Sequence, residues 1–288
     1  TNFSQDHLDY HKNMKNYLKA KLILFSKLLR KKQNVITDNQ IKEFKKLKII
    51  SKKRNLTLLS IGTKGSNIEI KSLIAKNNSQ LLSFKYNKKS YTIEVPLIGK
   101  FQIKNLLMSI LAAKLSGLDL NKLLKNINKI KKVNGRLELV KILSNQTRIF
   151  IDYAHTPDAL ETSLKTLKKH YGVKPDVVFG CGGERDKKKR AMMARISERN
   201  AEEIYITDDN PRNENPNLIR QMIISGFKKK ENFYNVPLRI KAIKKAIINS
   251  KPNGIILITG KGHETTQIYK NKILNFSDKK IIKKINTK

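Results

Sequence analysis

Four short apolar runs in the second half of the chain, at residues 149–151, 177–179, 204–207 and 255–259, limit the possible fold more than any other feature. Each is too short for a helix, and each is apolar at nearly every position rather than at alternate ones. Strands of that kind are covered on both faces, as in a parallel sheet. Helical patterning lies between them. Thr156 stands as an N-cap, Pro157 and Asp158 fall in the first turn, Leu160, Leu164 and Leu167 form a stripe, and Gly172 closes the helix. This rhythm predicts an α/β domain with a largely parallel sheet under helices. Ligands of such sheets bind beyond the carboxyl ends of the strands, so the residues after each run carry the chemistry.

The first half patterns differently. Leu18, Leu22, Phe25 and Leu29 suggest a helix over 17–30, and further helices are expected at 40–47, 102–115 and 119–127, with Gly117 ending the third of these four. Strands are expected at 34–37, 56–60, 81–86 and 91–95. The change of pattern near Val133-Asn134-Gly135 sets two domains, 1–134 and 135–288, which a chain of 288 residues can support.

The formal charge of +38 would suit a nucleic-acid binder, but its distribution argues against a specific one. Of 61 basic residues all but the 11 arginines are lysine, spread through the chain in runs such as 187–189, 228–230 and 279–280. Salt-sensitive, non-specific binding is all that such a surface requires. Cys181 is the only cysteine, so neither a disulfide framework nor a cysteine-based zinc site is expected. With no apolar run of membrane length and no signal peptide, the expectation is a cytoplasmic monomer without a membrane partner. The chain opens on Thr1 inside a motif-like string, which suggests a piece of a longer protein.

Polar motifs follow every apolar run. Asp152 ends the first and could hydrogen-bond a ribose or orient a cation, whereas His155 suits either a phosphate or a structural cap. After the second comes Gly180-Cys181-Gly182-Gly183, a turn that lets backbone approach an anion at a helix start, with Arg185 beside it. Cys181 reads as a buried spectator. In Asp208-Asp209-Asn210-Pro211-Arg212, Pro211 stiffens the turn and Arg212 offers a planar fork for a carboxylate. Gly260-Lys261-Gly262-His263-Glu264 follows the fourth, where Glu264 can hold an ammonium. A zinc site from His263 and Glu264 lacks a third ligand at suitable spacing. Near the start, Asp6, His7, Asp9 and His11 can hold magnesium or cap a turn. Lys19 and Lys21 lie on an apolar helix face, where lysines ordinarily snorkel to solvent. The segment Gly62-Thr63-Lys64-Gly65-Ser66 has the wrong order for a phosphate loop and reads as a surface turn. Asn105 suits an adenine edge or mere exposure, and a lone Arg136 is ordinarily a surface residue.

Taken in order, the string 1–11, the Ala20-Lys21 pair, the segment 99–105, Arg136 and the strings 152–160, 180–190, 209–212 and 259–264 resemble the Mur ligases over nearly the whole chain. The resemblance implies an α/β protein, the later part of a central ATP-binding domain followed by a Rossmann-like C-terminal domain, with the phosphate loop lying upstream. It implies ATP-dependent amide-bond formation through an acyl phosphate, with Mg2+ as cofactor and ATP as co-substrate. His7 and a carbamylated Lys21 would hold magnesium, with Lys19 the competing lysine; carbamylation calls for a neutral amine. Asn105, Arg136 and Asp152 would position the nucleotide. The Asp-Asn-Pro-Arg string is that of members that add meso-diaminopimelate to UDP-MurNAc-L-Ala-D-Glu, which implies that Arg185, Asp209, Asn210, Pro211, Arg212, Gly260 and Glu264 bind the amino acid. Departures are Gln102 for a family Asn, and Glu184, Lys188 and Ala191 for the commoner Asp, Gly and Pro. The alternatives are another Mur or folylpolyglutamate-type ligase, or a non-catalytic ligand-binding remnant.

Overall fold

The structure, a computed structural model, describes residues 1–229 and 233–285; Lys230 of the 228–230 lysine run lies outside it, as do the last three residues. The chain forms two compact units, Thr1–Lys131 and Lys132–Lys288.

The first unit holds helices α1 (Leu8–His11), α2 (Met14–Ile23), α3 (Phe44–Arg54), α4 (Lys100–Leu115) and α5 (Leu120–Lys125). Its five-stranded sheet runs β1 (Asn34–Asp38), β2 (Thr57–Gly62), β3 (Ile68–Lys76), β4 (Ser79–Tyr86), β5 (Lys89–Val95) in spatial as in chain order. β1, β2 and β3 are parallel, with β2 and β3 touching only at Ile61↔Ile68 and Gly62↔Glu69. β3, β4 and β5 form an antiparallel meander. Asn87 and Lys88 turn the second hairpin, both at positive φ, as a two-residue loop matched to strand twist requires. Ile61, Leu82, Phe84 and Val95 of the sheet share one core with Ile103, Leu107 and Leu111 of α4, which recur every fourth residue.

Three expectations need correction here. The helix placed at 17–30 begins earlier, where the Asn13 side chain accepts from the Asn16 N–H, and widens into a π-helical turn over Leu24–Leu28. The helix placed at 40–47 begins only at Phe44, because Asp38 folds residues 38–41 into a turn by accepting the Gln40 N–H. β3 was not anticipated: a bulge between Ile70 and Ser72 breaks its alternation.

The second unit contains β6 (Glu138–Ile142), β7 (Arg148–Asp152), α6 (Pro157–Tyr171), β8 (Asp176–Phe179), α7 (Lys188–Asn200), β9 (Ile204–Ile206), α8 (Pro216–Ile224), β10 (Tyr234–Asn235), α9 (Arg239–Ile248), β11 (Ile255–Thr259), β12 (Thr266–Tyr269), β13 (Lys272–Asn275) and α10 (Asp278–Lys284). The sheet order is β10-β9-β8-β11-β7-β6, parallel throughout except for the antiparallel edge strand β6. β11 lies between β7 and β8, with Thr259 opposite Asp152, so chain segments distant in sequence end together. Every residue of β8, β9 and β11 is buried, as the continuous apolar runs require. One face packs Ile149, Ile151, Val178, Tyr205, Ile256 and Ile258 into a core with Ala242, Ile243, Ala246 and Ile247 of α9. α6 is capped as expected: Thr156 accepts the Ala159 N–H, Gly172 is left-handed, and Leu160, Leu164 and Leu167 are fully buried.

Asp176, at the amino end of β8, gives this unit a pH signature. Burial, against an opposing hydrogen bond from the Glu203 N–H, raises its carboxyl to about 6. The folded state therefore holds this proton more tightly than the unfolded state, and stability falls as pH rises from about 4 through 6. Asp176→Asn, which keeps the acceptor, should stabilise the unit at pH 8 by up to about 3 kcal/mol. Urea denaturation at pH 8 and pH 4 checks this, the gain disappearing at the lower pH.

Candidate functional site

The residues beyond β8, β9 and β11 meet at one edge of the second unit's sheet. Gly180 and Gly183 let the glycine loop lie flush against the Asp-Asn-Pro-Arg segment: an added Cβ would sit 2.2 Å from the Thr207 carbonyl oxygen and 1.9 Å from that of Pro211. The fully buried Arg190 ties the two loops together, donating to both Glu214 oxygens at 2.9 Å and to the Gly182 carbonyl at 3.3 Å. Glu214 also accepts the Glu184 N–H, and the arginine beside it holds its carboxyl below the usual range.

The hairpin β12–β13, which the sequence reading missed, straps the same segment. Arg212 donates its N–H to the Ile268 carbonyl and accepts from the Lys270 N–H. Gln267 donates to the carbonyls of Asp208 and Asp209, and the Tyr269 hydroxyl donates to Asp208. Arg220 pairs with Asp208 from below. Arg212 is thereby held in the left-handed region at φ 53, its Nη1 2.8 Å from the Gly183 carbonyl.

Between these loops lies a polar cluster. The fully buried Lys261 donates to Asn210 Oδ1 at 2.9 Å and Glu264 Oε2 at 3.0 Å. Asn210 Nδ2 donates to the same Glu264 oxygen at 2.9 Å. Gly260, at φ 108, leaves room for Asp209: an added Cβ would lie 2.5 Å from its Oδ2. Arg185 is exposed. Its charge is felt at Tyr153, as are those of the cluster: burial and then Glu264 raise the Tyr153 hydroxyl, Asp209 adds to that, and Arg136 and Arg185 oppose it. Below, Arg239 and Asp278 form a fully buried bidentate pair, with Arg239 also donating to the Thr259 carbonyl.

Beside the cluster, Asp152 is buried and both of its oxygens have protein donors, Ser163 Oγ at 2.5 Å and the Leu137 N–H at 3.1 Å. Burial raises its carboxyl, and those hydrogen bonds pull the other way. It anchors the turn that carries Arg136, whose guanidinium lies 4.5 Å from the centre of the Tyr153 ring. His155 Nδ1 lies 2.9 Å from the Tyr153 carbonyl. Cys181 is buried with its thiol pushed up to about 11 by that burial, as suits a spectator.

In the first unit, His7 is exposed and left-handed, 3.5 Å from Asp6. Lys21 is exposed with its ammonium 5.1 Å from the centre of the Tyr17 ring, against which the rings of His11 at 5.0 Å, Phe3 at 5.2 Å and His7 at 5.8 Å also pack. The two side chains implied as magnesium ligands thus flank one ring. Among the described residues no group of three or more His, Cys, Asp or Glu could hold a metal ion. In the segment 62–66, Gly62 ends β2 and residues 63–65 are exposed in the turn that follows, and Asn105 is exposed on α4. Its neighbour Lys104 instead pairs with Asp38 at the end of β1, a contact that no sequence spacing signals.

Two family models match the chain: "Mur ligase middle domain" over residues 1–113 and "Mur ligase, glutamate ligase domain" over 135–262. A UDP-N-acetylmuramoyl-L-alanyl-D-glutamate–2,6-diaminopimelate ligase of Rickettsia montanensis is 42% identical over 286 residues, 99% of this chain and 58% of that protein. The protein of the same name from Buchnera aphidicola is 41% identical over 98% of this chain and 57% of its own length. The chain therefore spans less than two thirds of these curated relatives. A solved structure of a ligase of that name superposes with a TM-score of 0.62 at 29% identity, covering 97% of this chain and 57% of that one. Folylpolyglutamate synthase of Mycobacterium tuberculosis, solved with ADP and AMPPCP, shares the fold at a TM-score of 0.72 and 18% identity.

The close approach at Gly260 has a measurable cost. Gly172 is also left-handed but has open space around it, so Gly172→Ala should cost about 1 kcal/mol of backbone strain alone. Gly260→Ala adds displacement of the Asp209 carboxylate and should cost at least about 1 kcal/mol more. Urea denaturation of the two variants gives the comparison.

Proposed function

Because the chain belongs to the Mur ligase family, carrying its middle and glutamate-ligase domains, we propose that it is part of a UDP-N-acetylmuramoyl-L-alanyl-D-glutamate–2,6-diaminopimelate ligase, with ATP, UDP-MurNAc-L-Ala-D-Glu and meso-diaminopimelate as substrates. In that reaction the γ-phosphoryl group of ATP passes to the D-glutamate γ-carboxylate. An amine of diaminopimelate then attacks the acyl phosphate, the C–N bond forms, and phosphate leaves.

One observation carries this reading: Asp209, Asn210, Arg212 and Glu264 converge at one sheet edge, and the Arg212 and Arg185 side chains both border Gly182. Such a set matches a doubly zwitterionic amino acid. Carboxylates meet the guanidinium groups of Arg185 and Arg212, and ammonium groups meet Asp209 and Glu264. Pro211 fixes the turn that presents Arg212, and Gly260 keeps the Asp209 face open. Lysine lacks the distal carboxylate and would leave one of those cations without its anion.

Arg136 and Asn105 serve the nucleotide in this reading. Asp152, each of whose oxygens already has a protein donor, acts there through the turn that it anchors. Magnesium keeps most of its ligands as water and phosphate, so two protein donors suffice. His7 and a carbamylated Lys21, which share the Tyr17 ring, are a fitting pair. When bound, the ion offsets the negative charge of the phosphates. Lys21 is exposed within its own unit, which by itself supplies little of the desolvation that carbamylation calls for.

Isothermal calorimetry on this chain tests the amino-acid reading. meso-Diaminopimelate should bind, L-lysine at least about tenfold more weakly, and Arg212→Ala should remove the difference. Equal affinities in the unaltered chain would contradict the reading.

A further inference from the structure

Lys261 is a fully buried ammonium that no part of the reaction above uses. Its surroundings give it a definite effect on the ligand-facing groups. Asn210 Oδ1 accepts two hydrogen bonds, from Lys261 Nζ at 2.9 Å and from the Ile268 N–H at 3.1 Å. Only an oxygen can accept both, so the orientation of this amide is fixed. Nδ2 must then face Glu264, where one of its hydrogens goes to Oε2 at 2.9 Å. Lys261 donates to that same oxygen at 3.0 Å. Glu264 Oε2 is thereby saturated, and no donor among the described residues takes Oε1. In the part of the wall made by Asn210 and Glu264, one acceptor, Glu264 Oε1, and one donor, the second Nδ2 hydrogen of Asn210, are left over among the described residues.

We propose that Lys261 is a positioning residue that sets the polarity of this wall, fixing which part of it accepts from an ammonium and which donates to a carboxylate. The proposal rests on the reading of the site as a diaminopimelate pocket. At a stereocentre bearing one ammonium and one carboxylate, such a wall distinguishes the two configurations, because exchanging the groups puts like against like. Without the Lys261 ammonium, Asn210 Oδ1 keeps only the Ile268 N–H and Glu264 Oε2 only the Asn210 Nδ2 hydrogen, so each side chain loses one of its two restraints and can turn. The wall then offers either polarity. A lysine that merely balanced the charge of Glu264 would leave the discrimination intact.

The test compares meso- and L,L-diaminopimelate, which carry the same charges and differ at one centre, by calorimetry on the unaltered chain and on Lys261→Met. The unaltered chain should prefer one isomer by at least about tenfold, and Lys261→Met should bring the two affinities to within about threefold of each other, chiefly by weakening the preferred one. Lys261→Met/Glu264→Gln carries no unpaired charge and covers the case in which the single variant fails to fold. It should discriminate no better than the single variant, the two changes being coupled through one oxygen. In amide NMR spectra the two side-chain Nδ2 hydrogens of Asn210 should give separate, exchange-protected signals that lose protection in Lys261→Met. Preserved stereochemical preference in the variants, or an unchanged Asn210 pair, would overturn the proposal. An unaltered chain that binds neither isomer would sink the diaminopimelate reading, whereas equal binding of both sinks only the role of Lys261.

Discussion

Parallel pairing of β11 with both β7 and β8 is the constraint on which the site depends. Parallel strands cannot be joined by tight turns, so helical crossovers return the chain to the same starting edge each time. All the carboxyl ends then face one way. Thr259 stands opposite Asp152, Phe179 opposite Ile206, and the segments that follow are brought together although long stretches of sequence separate them. The site lies at one edge because the sheet admits no other arrangement of its loops.

The chemistry of that edge is shaped by scarcity. With 61 basic and 23 acidic residues, this chain has few carboxylates, and a conspicuous share of them is pinned here. Asp208 is held by Arg220, Glu214 by Arg190, Glu264 by Lys261 and Asp278 by Arg239. Buried ion pairs of this kind add little net stability, since desolvation offsets most of the attraction. What they supply is fixed position, which a pocket for a small, highly charged ligand needs more than it needs stability. The surface lysines contribute charge without geometry.

Much of the C-terminal unit was legible in the sequence. Continuous apolar runs mark buried parallel strands, and Thr156, Pro157 and Gly172 bracket a helix through local backbone chemistry that requires no tertiary context. The Asp-Asn-Pro-Arg and Gly-Lys-Gly-His-Glu strings were legible as chemistry and as resemblance. Other features were not. β13 is exposed along its whole length, so no burial pattern marked the β12–β13 hairpin; its two-residue turn at Lys270 and Asn271 was the available signal. The start of α3 depended on an Asp38 side chain that equally suits a strand end. Lys261 looked like one lysine among many, because the Asn210 that gives it a role becomes a neighbour only when the sheet forms. Helix α2 carries no fully buried residue, so its apolar spacing overstated how much of it is covered within its own unit.

The central claim is that one sheet edge of the C-terminal unit selects the amino acid. An amide NMR titration of the chain with meso-diaminopimelate tests it most directly. The account predicts saturable shifts confined to residues 182–185, 209–212 and 260–264 and to the strapping hairpin at 267–270. Shifts concentrated elsewhere would contradict it. A candidate for such a result is the apolar hollow of about 770 Å³ lined by Leu143, Ile247 and Ile281.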